Sequence, residues 1–278
     1  MLRSMHAVLA GWVLVCAAPA ALAAADPGDA ATTRTLSYVF ATELGSGVYE
    51  MSGRNLQVYR LIPSRHLRIP TESTPGVRVY ASMTAGLYDF APQDVVGEGL
   101  PTGIDSFSAT PGIALDFALH RSWYLSPYIQ GGASFAGRNL DGWVYGAGVR
   151  MTRTTMRDST EVENRHELTF TGVSWQHNLP NERFVRLRQA ARVSNGTGLR
   201  WRGYEAEGGT YAILDVILDS PRPAIADARQ EKVQAEFGLL IGTRPGFTIG
   251  RSGPLRLGIG YRVAGEMSGF RLVLGSAF

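Results

Sequence analysis

The chain has 278 residues, of which 45% are hydrophobic and 18% charged, and its mean hydropathy is -0.04. These values exclude a disordered chain, which lacks apolar residues, and a bundle of transmembrane helices, which has long uncharged runs. The 27 basic residues exceed the 24 acidic residues only slightly. This charge does not argue for nucleic acid as a partner.

The N-terminus has the layout of a secretory signal. Arg3 precedes an apolar run over 7–18, and small residues follow it up to Ala25. The run is shorter than the roughly 20 residues of a transmembrane helix, so we predict a cleaved signal peptide over 1–25 and a single domain over 26–278. The only cysteine, Cys16, lies inside this signal. The mature chain would then depend on core or membrane burial rather than on disulfides for its stability.

Apolar side chains alternate with polar or small ones along many segments. In the segment 77–88, Val77 and Val79 fall on one face, and Arg78 and Tyr80 fall on the other. The segments 106–120 and 123–135 have the same period. Because successive strand residues point to opposite faces, the pattern predicts strands with one lipid-facing surface. A soluble β-sandwich alternates in the same way, so the periodicity alone leaves both architectures open.

Arginines occupy the polar face of several of these segments. An arginine that faced lipid at the middle of a bilayer would cost roughly 2 to 4 kcal/mol, so we predict that these side chains face a lumen. Such a lumen could favour anions, or its arginines could pair with acidic residues and close it. The candidate lumen-facing residues are Arg78, Tyr80, Asp116, Tyr128, Arg150, Arg256, Arg262 and Arg271.

The last segment favours the membrane protein. Phe270, Leu272, Leu274 and Phe278 alternate with other residues up to the final position. This ending resembles the signal by which the barrel-assembly machinery recognises outer-membrane barrels. We therefore predict an all-β, transmembrane antiparallel β-barrel in the outer membrane of a Gram-negative bacterium. Its partners would be this machinery, outer-membrane lipids and lipopolysaccharide.

The segments suggest about thirteen strands, and twelve is the prediction because single-chain bacterial barrels use even numbers. The strand candidates that bear most on this count are 34–43, 48–61, 183–193 and 198–206. The polar stretch 194–198 between the last two is interpreted as a turn. Two polar stretches, 91–105 and 219–230, are predicted to be surface loops.

The stretches 126–132, 142–150 and 258–262, together with Phe278, resemble the translocator barrel of autotransporters. The resemblance implies a twelve-stranded barrel with a narrow lumen. The predicted cleavage site lies close to the first strand candidate. We therefore expect no passenger domain and no lumen-filling linker helix, and the chain would be a solitary, autotransporter-like barrel.

Some outer-membrane barrels are lipid hydrolases or acyltransferases, which need a base beside a nucleophile. His120 precedes Ser122 by two positions, and His177 is a second candidate base. His120 also suits a structural role at a tight turn, and no nucleophile elbow, phosphate loop or metal-spaced cluster is found in the sequence. We predict a non-enzymatic barrel without metal or cofactor, acting as a small porin-like pore, a structural component or a secretion-related module. The alternative is a lipid-modifying enzyme.

Overall fold

The structure is a computed structural model that describes residues 44–51, 54–88, 105–120, 122–136, 139–175, 181–219, 232–244, 256–265 and 267–274. Several predictions lie outside these residues: the signal peptide over 1–25, the strand candidate 34–43, His177 and Phe278. The two predicted loops also lie almost entirely outside them. Among the described residues there is no helix long and apolar enough to cross a membrane.

The described residues form a single sheet of thirteen antiparallel strands. The strands are β1 Gly47–Met51, β2 Arg54–Leu61, β3 Ser64–Arg68, β4 Gly76–Tyr88, β5 Asp105–His120, β6 Trp123–Ala136, β7 Asn139–Arg157, β8 Thr160–Trp175, β9 Glu182–Trp201, β10 Tyr204–Asp219, β11 Val233–Arg244, β12 Leu257–Ala264 and β13 Met267–Leu274.

The sheet closes on itself as a barrel. β1 pairs with β2 on one side and with β13 on the other, where Gly47 lies opposite Arg271. β2 and then β3 pair with successive parts of β4, so these two strands share one position in the wall. They are separated at Ile62 and Pro63, where proline removes a backbone donor. The wall therefore has twelve strand positions, which confirms the predicted antiparallel barrel.

Three of the strand candidates have wrong boundaries. The candidate 48–61 is a hairpin, because β1 turns back into β2. The candidates 183–193 and 198–206 are also wrong, because β9 runs unbroken through 194–198. The turn lies instead at Arg202 and Gly203, whose φ angles of 50° and 84° suit a two-residue hairpin. The polar residues of 194–198 favour a turn locally, but their pairing with the neighbouring strands outweighs this preference.

The barrel has an apolar outer face and a polar inner face. On β5, Ile113 and Leu115 are exposed, whereas the alternate residues Ala114 and Asp116 are buried. The same alternation runs through β11 and β12. The segments 106–120 and 123–135 form the antiparallel pair of β5 and β6, with His120 opposite Trp123. An apolar outer surface of this extent matches a lipid environment better than water.

Tyrosine rings lie across neighbouring strands on glycines. Because glycine has no side chain, the ring can cover the backbone and fill the space between strands. At Gly148, an added Cβ would come within 2.6 Å of the Tyr128 ring and hydroxyl and 2.7 Å of the Leu168 carbonyl. The pairs are Tyr49 with Gly269, Tyr80 with Gly112, Tyr128 with Gly148, Tyr145 with Gly172 and Tyr211 with Gly238.

We expect Gly148→Ala to lower the free energy of unfolding by about 1 to 3 kcal/mol, because its methyl group would displace the Tyr128 ring from a packed position. Urea titration of the refolded protein, followed by its migration on unheated gels, measures the change. Gly208→Ala is the matched control, since no atom lies within 4 Å of a Cβ there. The control should change stability by no more than about 0.5 kcal/mol. Equal effects at both glycines would contradict the packing role.

Candidate functional site

The predicted lumen residues occupy the face of the sheet opposite the exposed apolar side chains. An ion pair or a side-chain hydrogen bond to another inward-facing residue is made by Arg78, Asp116, Tyr128, Arg150, Arg256, Arg262 and Arg271. The Tyr80 hydroxyl instead lies 3.4 Å from the Ile129 carbonyl oxygen, and its ring packs edge-on against Tyr128. Phe270, Leu272 and Leu274, predicted as part of the assembly signal, lie on the outward face and are exposed.

One buried carboxylate on the inner face joins four strands. Glu236 on β11 accepts hydrogen bonds from Arg262 Nε at 2.8 Å, Arg271 Nη1 at 2.9 Å and the Tyr211 hydroxyl at 2.7 Å. Only 1% of Glu236 is exposed, so its charge depends on these donors rather than on water. The contact therefore ties β10, β12 and β13 to β11 from the inside.

A second central carboxylate extends this cluster to β9. Asp215 accepts two hydrogen bonds of 2.7 Å from Arg188, a paired geometry that is among the strongest for charged groups. Arg262 Nη1 lies 3.5 Å from Asp215 Oδ2 and donates a hydrogen bond of 3.1 Å to Gln234. Arg186 Nε lies 3.8 Å from Asp215 Oδ1. Arg262 thus links the two carboxylates into one network, which we call the central cluster: Arg186, Arg188, Tyr211, Asp215, Gln234, Glu236, Arg262 and Arg271.

Asp116 organises a separate group on β3 to β6. Arg78 donates two hydrogen bonds of 3.1 Å to its carboxylate, and Ser126 donates one of 2.6 Å. His66 Nε2 lies 3.2 Å from the same carboxylate. The acid stands between the serine and the histidine, whereas a nucleophilic serine needs the histidine beside it. This group contains the three residue types of a hydrolytic triad, but the serine and the histidine are not adjacent to each other.

Tyr128 and Arg150 converge on Glu167. The Tyr128 hydroxyl lies 2.6 Å from Glu167 Oε1 and 2.9 Å from the Thr169 hydroxyl. Arg150 donates a hydrogen bond of 3.0 Å to the same glutamate oxygen, and its guanidinium carbon lies 5.4 Å from the centre of the Tyr128 ring. These contacts connect β6, β7 and β8 across the inner face.

Arginines from β11 and the adjoining loop cross to the long hairpins at one end of the lumen. Arg244 and Arg256 donate hydrogen bonds of 2.7 and 2.5 Å to the carboxylate of Glu207. Arg244 also reaches the carbonyl oxygens of Ser159 and Ser194, at 2.5 and 3.1 Å. Arg192 on β9 pairs with Glu161 and Glu163 on β8. This end of the lumen is therefore crossed by charged side chains.

An apolar layer fills another part of the lumen. Val144, Val173, Phe184 and Ile217 come from β7, β8, β9 and β10, and they form one buried cluster. Val173 and Phe184 have exposures of 0% and 1%. Inward-facing residues of this kind pack as a core rather than line water.

The sequence prediction missed most of the central cluster. Arg186 and Arg188 were not among the predicted lumen residues, although both have even numbers and so share one face of β9. Asp215 and Glu236 were not predicted, because apolar residues flank each of them directly in the sequence. These arginines and carboxylates could have been predicted from one feature of the sequence: a charged residue at an inward-facing position of an otherwise apolar strand.

The histidines do not assemble a catalytic group among the described residues. His120 ends β5, directly opposite Trp123, and His166 lies opposite Met151 on the outward side of β8. No group of three or more His, Cys, Asp or Glu residues suited to a metal occurs in the described part of the chain.

Comparison with solved structures identifies the architecture. The barrel resembles the β domain of the Bordetella autotransporter BrkA, with a TM-score of 0.51 and 12% sequence identity. The match covers 81% of this chain and 95% of the other chain. The chain is an autotransporter-like barrel. No protein-family model and no curated protein matches its sequence.

Removing one partner from the central cluster tests its contribution to stability. We expect Glu236→Gln to lower the free energy of unfolding by about 3 to 5 kcal/mol, because the buried arginines Arg262 and Arg271 lose their shared anion. Urea unfolding of the refolded protein measures this change. Glu205→Gln is the control, since Glu205 lies 3.8 Å from the exposed Arg200 and such pairs contribute about 1 kcal/mol or less. The glutamine keeps an oxygen that can accept the hydrogen bond of Gly198 N. A small effect at Glu236 would show that the cluster does not hold the barrel together.

Proposed function

We propose that the chain is a non-enzymatic outer-membrane β-barrel protein whose lumen is closed by its own side chains. The observation that carries this proposal is the central cluster, in which inward arginines and carboxylates from β9 to β13 neutralise one another. Such pairing accounts for the lumen charges without an ion path. The protein would then serve as a structural component of the membrane rather than as an open pore.

The apolar outer face supports the membrane location. Phe270, Leu272 and Leu274 have exposures of about 60%, and a row of this kind is stable only against lipid or another apolar surface. The autotransporter-like fold favours the outer membrane among bacterial membranes. The predicted signal peptide over 1–25 would deliver the chain to the periplasm, and the barrel-assembly machinery would insert it among phospholipids and lipopolysaccharide.

Cell fractionation tests the location. We expect the tagged protein in the outer-membrane fraction, and we expect its unheated form to migrate faster on SDS gels than its boiled form, because a closed barrel resists unfolding by detergent. A heat-denatured sample of the same fraction is the control. Recovery in the soluble periplasm would overturn the proposal.

Recording across a planar bilayer tests whether the lumen is closed. We expect refolded protein to show no conductance steps, because charged and apolar side chains fill the lumen. The triple variant Arg262→Ala, Glu236→Ala and Arg271→Ala removes one layer of this filling and should admit ions if it folds. Regular steps from the unaltered protein with a preference for anions would favour the alternative, an arginine-lined anion pore.

The enzymatic alternative is a lipid hydrolase or acyltransferase. Its candidate base His120 faces Trp123 across a tight turn, and the Ser126–Asp116–His66 group has the wrong order for a nucleophile and its base. These arrangements favour the non-enzymatic proposal. Incubation of lipid A or phospholipid with the refolded barrel tests the enzymatic alternative. We expect the mass of the lipid to stay unchanged, and a change in mass would require an enzyme.

A further inference from the structure

The β9–β10 hairpin extends beyond both of its neighbours. The last residue of β9 that pairs with β8 is Asn195, and the first residue of β10 that pairs with β11 is Glu205. Gly196 N still lies 3.4 Å from the Ser159 carbonyl oxygen, and residues 197–204 pair with neither neighbouring strand. This segment is here called the β9–β10 tip.

The tip exposes large apolar and cationic side chains together. Leu199 is 71% exposed and Trp201 is 69% exposed. The guanidinium of Arg202 lies 4.8 Å from the centre of the Trp201 ring, and the side chain of Arg200 is 79% exposed. A stacked arginine covers one face of the indole, so the rest of the ring is available to a partner.

This apolar group does not continue the lipid-facing surface. On β9 the outward position after Val193 is Asn195, and an irregularity with Gly198 at a φ of 78° follows before Leu199. On β10 the outward residues Thr210 and Gly208 lie opposite Val193 and Asn195. Polar and small residues thus separate the tip from the apolar band that would contact lipid, which indicates that the tip lies beyond the bilayer.

Hydrogen bonds hold the tip in place. Gly198 N donates to Glu205 Oε1 at 3.1 Å, and the Thr197 hydroxyl donates to the Ala206 carbonyl at 2.9 Å. At the base of the tip, Arg244 donates to the Ser194 carbonyl at 3.1 Å. A fixed aromatic side chain loses little conformational freedom on binding, so this surface is suited to a docking role.

The tip lies at the end of the barrel where β1 begins and β13 ends. Strand order and antiparallel pairing fix this position, because β9, β11 and β13 all run towards the same end. In an outer-membrane barrel with both termini on the periplasmic side, this end faces the cell wall. The inference below therefore rests on the proposed outer-membrane location.

We propose that the β9–β10 tip is a docking site for the anionic glycan of the cell wall. Trp201 would stack on sugar rings, and Arg200 and Arg202 would pair with the carboxylates of the attached peptides. The exposed Arg157 on the adjacent β7–β8 hairpin adds positive charge at the same end. This complementarity favours a polyanion that presents ring faces over an uncharged partner.

Co-sedimentation with isolated cell-wall sacculi tests the proposal on the full mature protein in detergent micelles. We expect the unaltered protein to enter the pellet, and we expect Trp201→Ala and the double variant Arg200→Ser/Arg202→Ser each to weaken binding by roughly tenfold or more. Added sodium chloride should weaken binding as well, because the arginine contacts are exposed to solvent. Trp143→Ala is the matched control, since Trp143 is also exposed but lies near the opposite end of the barrel.

Three results would overturn the docking proposal. They are absence of the unaltered protein from the pellet, equal binding by Trp201→Ala, and binding to phosphatidylglycerol vesicles without binding to sacculi.

The side of the membrane on which the tip lies is measured separately with Leu199→Cys, because Cys16 in the predicted signal is the only natural cysteine. We expect a membrane-impermeant maleimide to label it only after the outer membrane is permeabilised. Labelling in intact cells would reject the cell-wall partner and leave the outer-membrane proposal standing.

Discussion

A sheet in lipid must pair both of its edges, because an unpaired backbone group has no water to bond there. The pairing of β1 with β13 meets this requirement and makes the barrel possible. Closure turns every outward side chain towards one environment and every inward side chain towards another. The alternation of apolar outward residues with mostly polar or small inward residues along β5 and β12 follows from this single constraint.

Closure of the barrel also removes the inward charged side chains from bulk water. Inward arginines cannot reach bulk water at the centre of the barrel, so each must find an anion within the wall. Asp215 and Glu236 supply these anions, and Arg262 bridges them. The same contacts join strands that are already neighbours in the sheet, so they reinforce the wall from inside while they fill the lumen.

The sequence predicted the barrel but not the network inside it. Alternation in segments such as 77–88 and the apolar parity of the last strand were sufficient for the architecture, because lipid acts on one face of every strand. The pairing between lumen charges depends on the register of strands that are distant in sequence, and one-residue alternation carries no information about register. For the same reason the turn at Arg202 was placed wrongly: the polar residues 194–198 look like a loop until β8 is known to pair beside them.

The five residues of β1 join the first described strand of the barrel to its last. Gly47 cannot meet Arg271 until the chain has been synthesised as far as β13, so the barrel cannot form progressively from β1. Contacts between such distant parts of a chain form slowly, and the open sheet exposes two unpaired edges in the meantime. With the outer-membrane location proposed above, the short contact between β1 and β13 would make the chain dependent on protection of these edges during its passage through the periplasm.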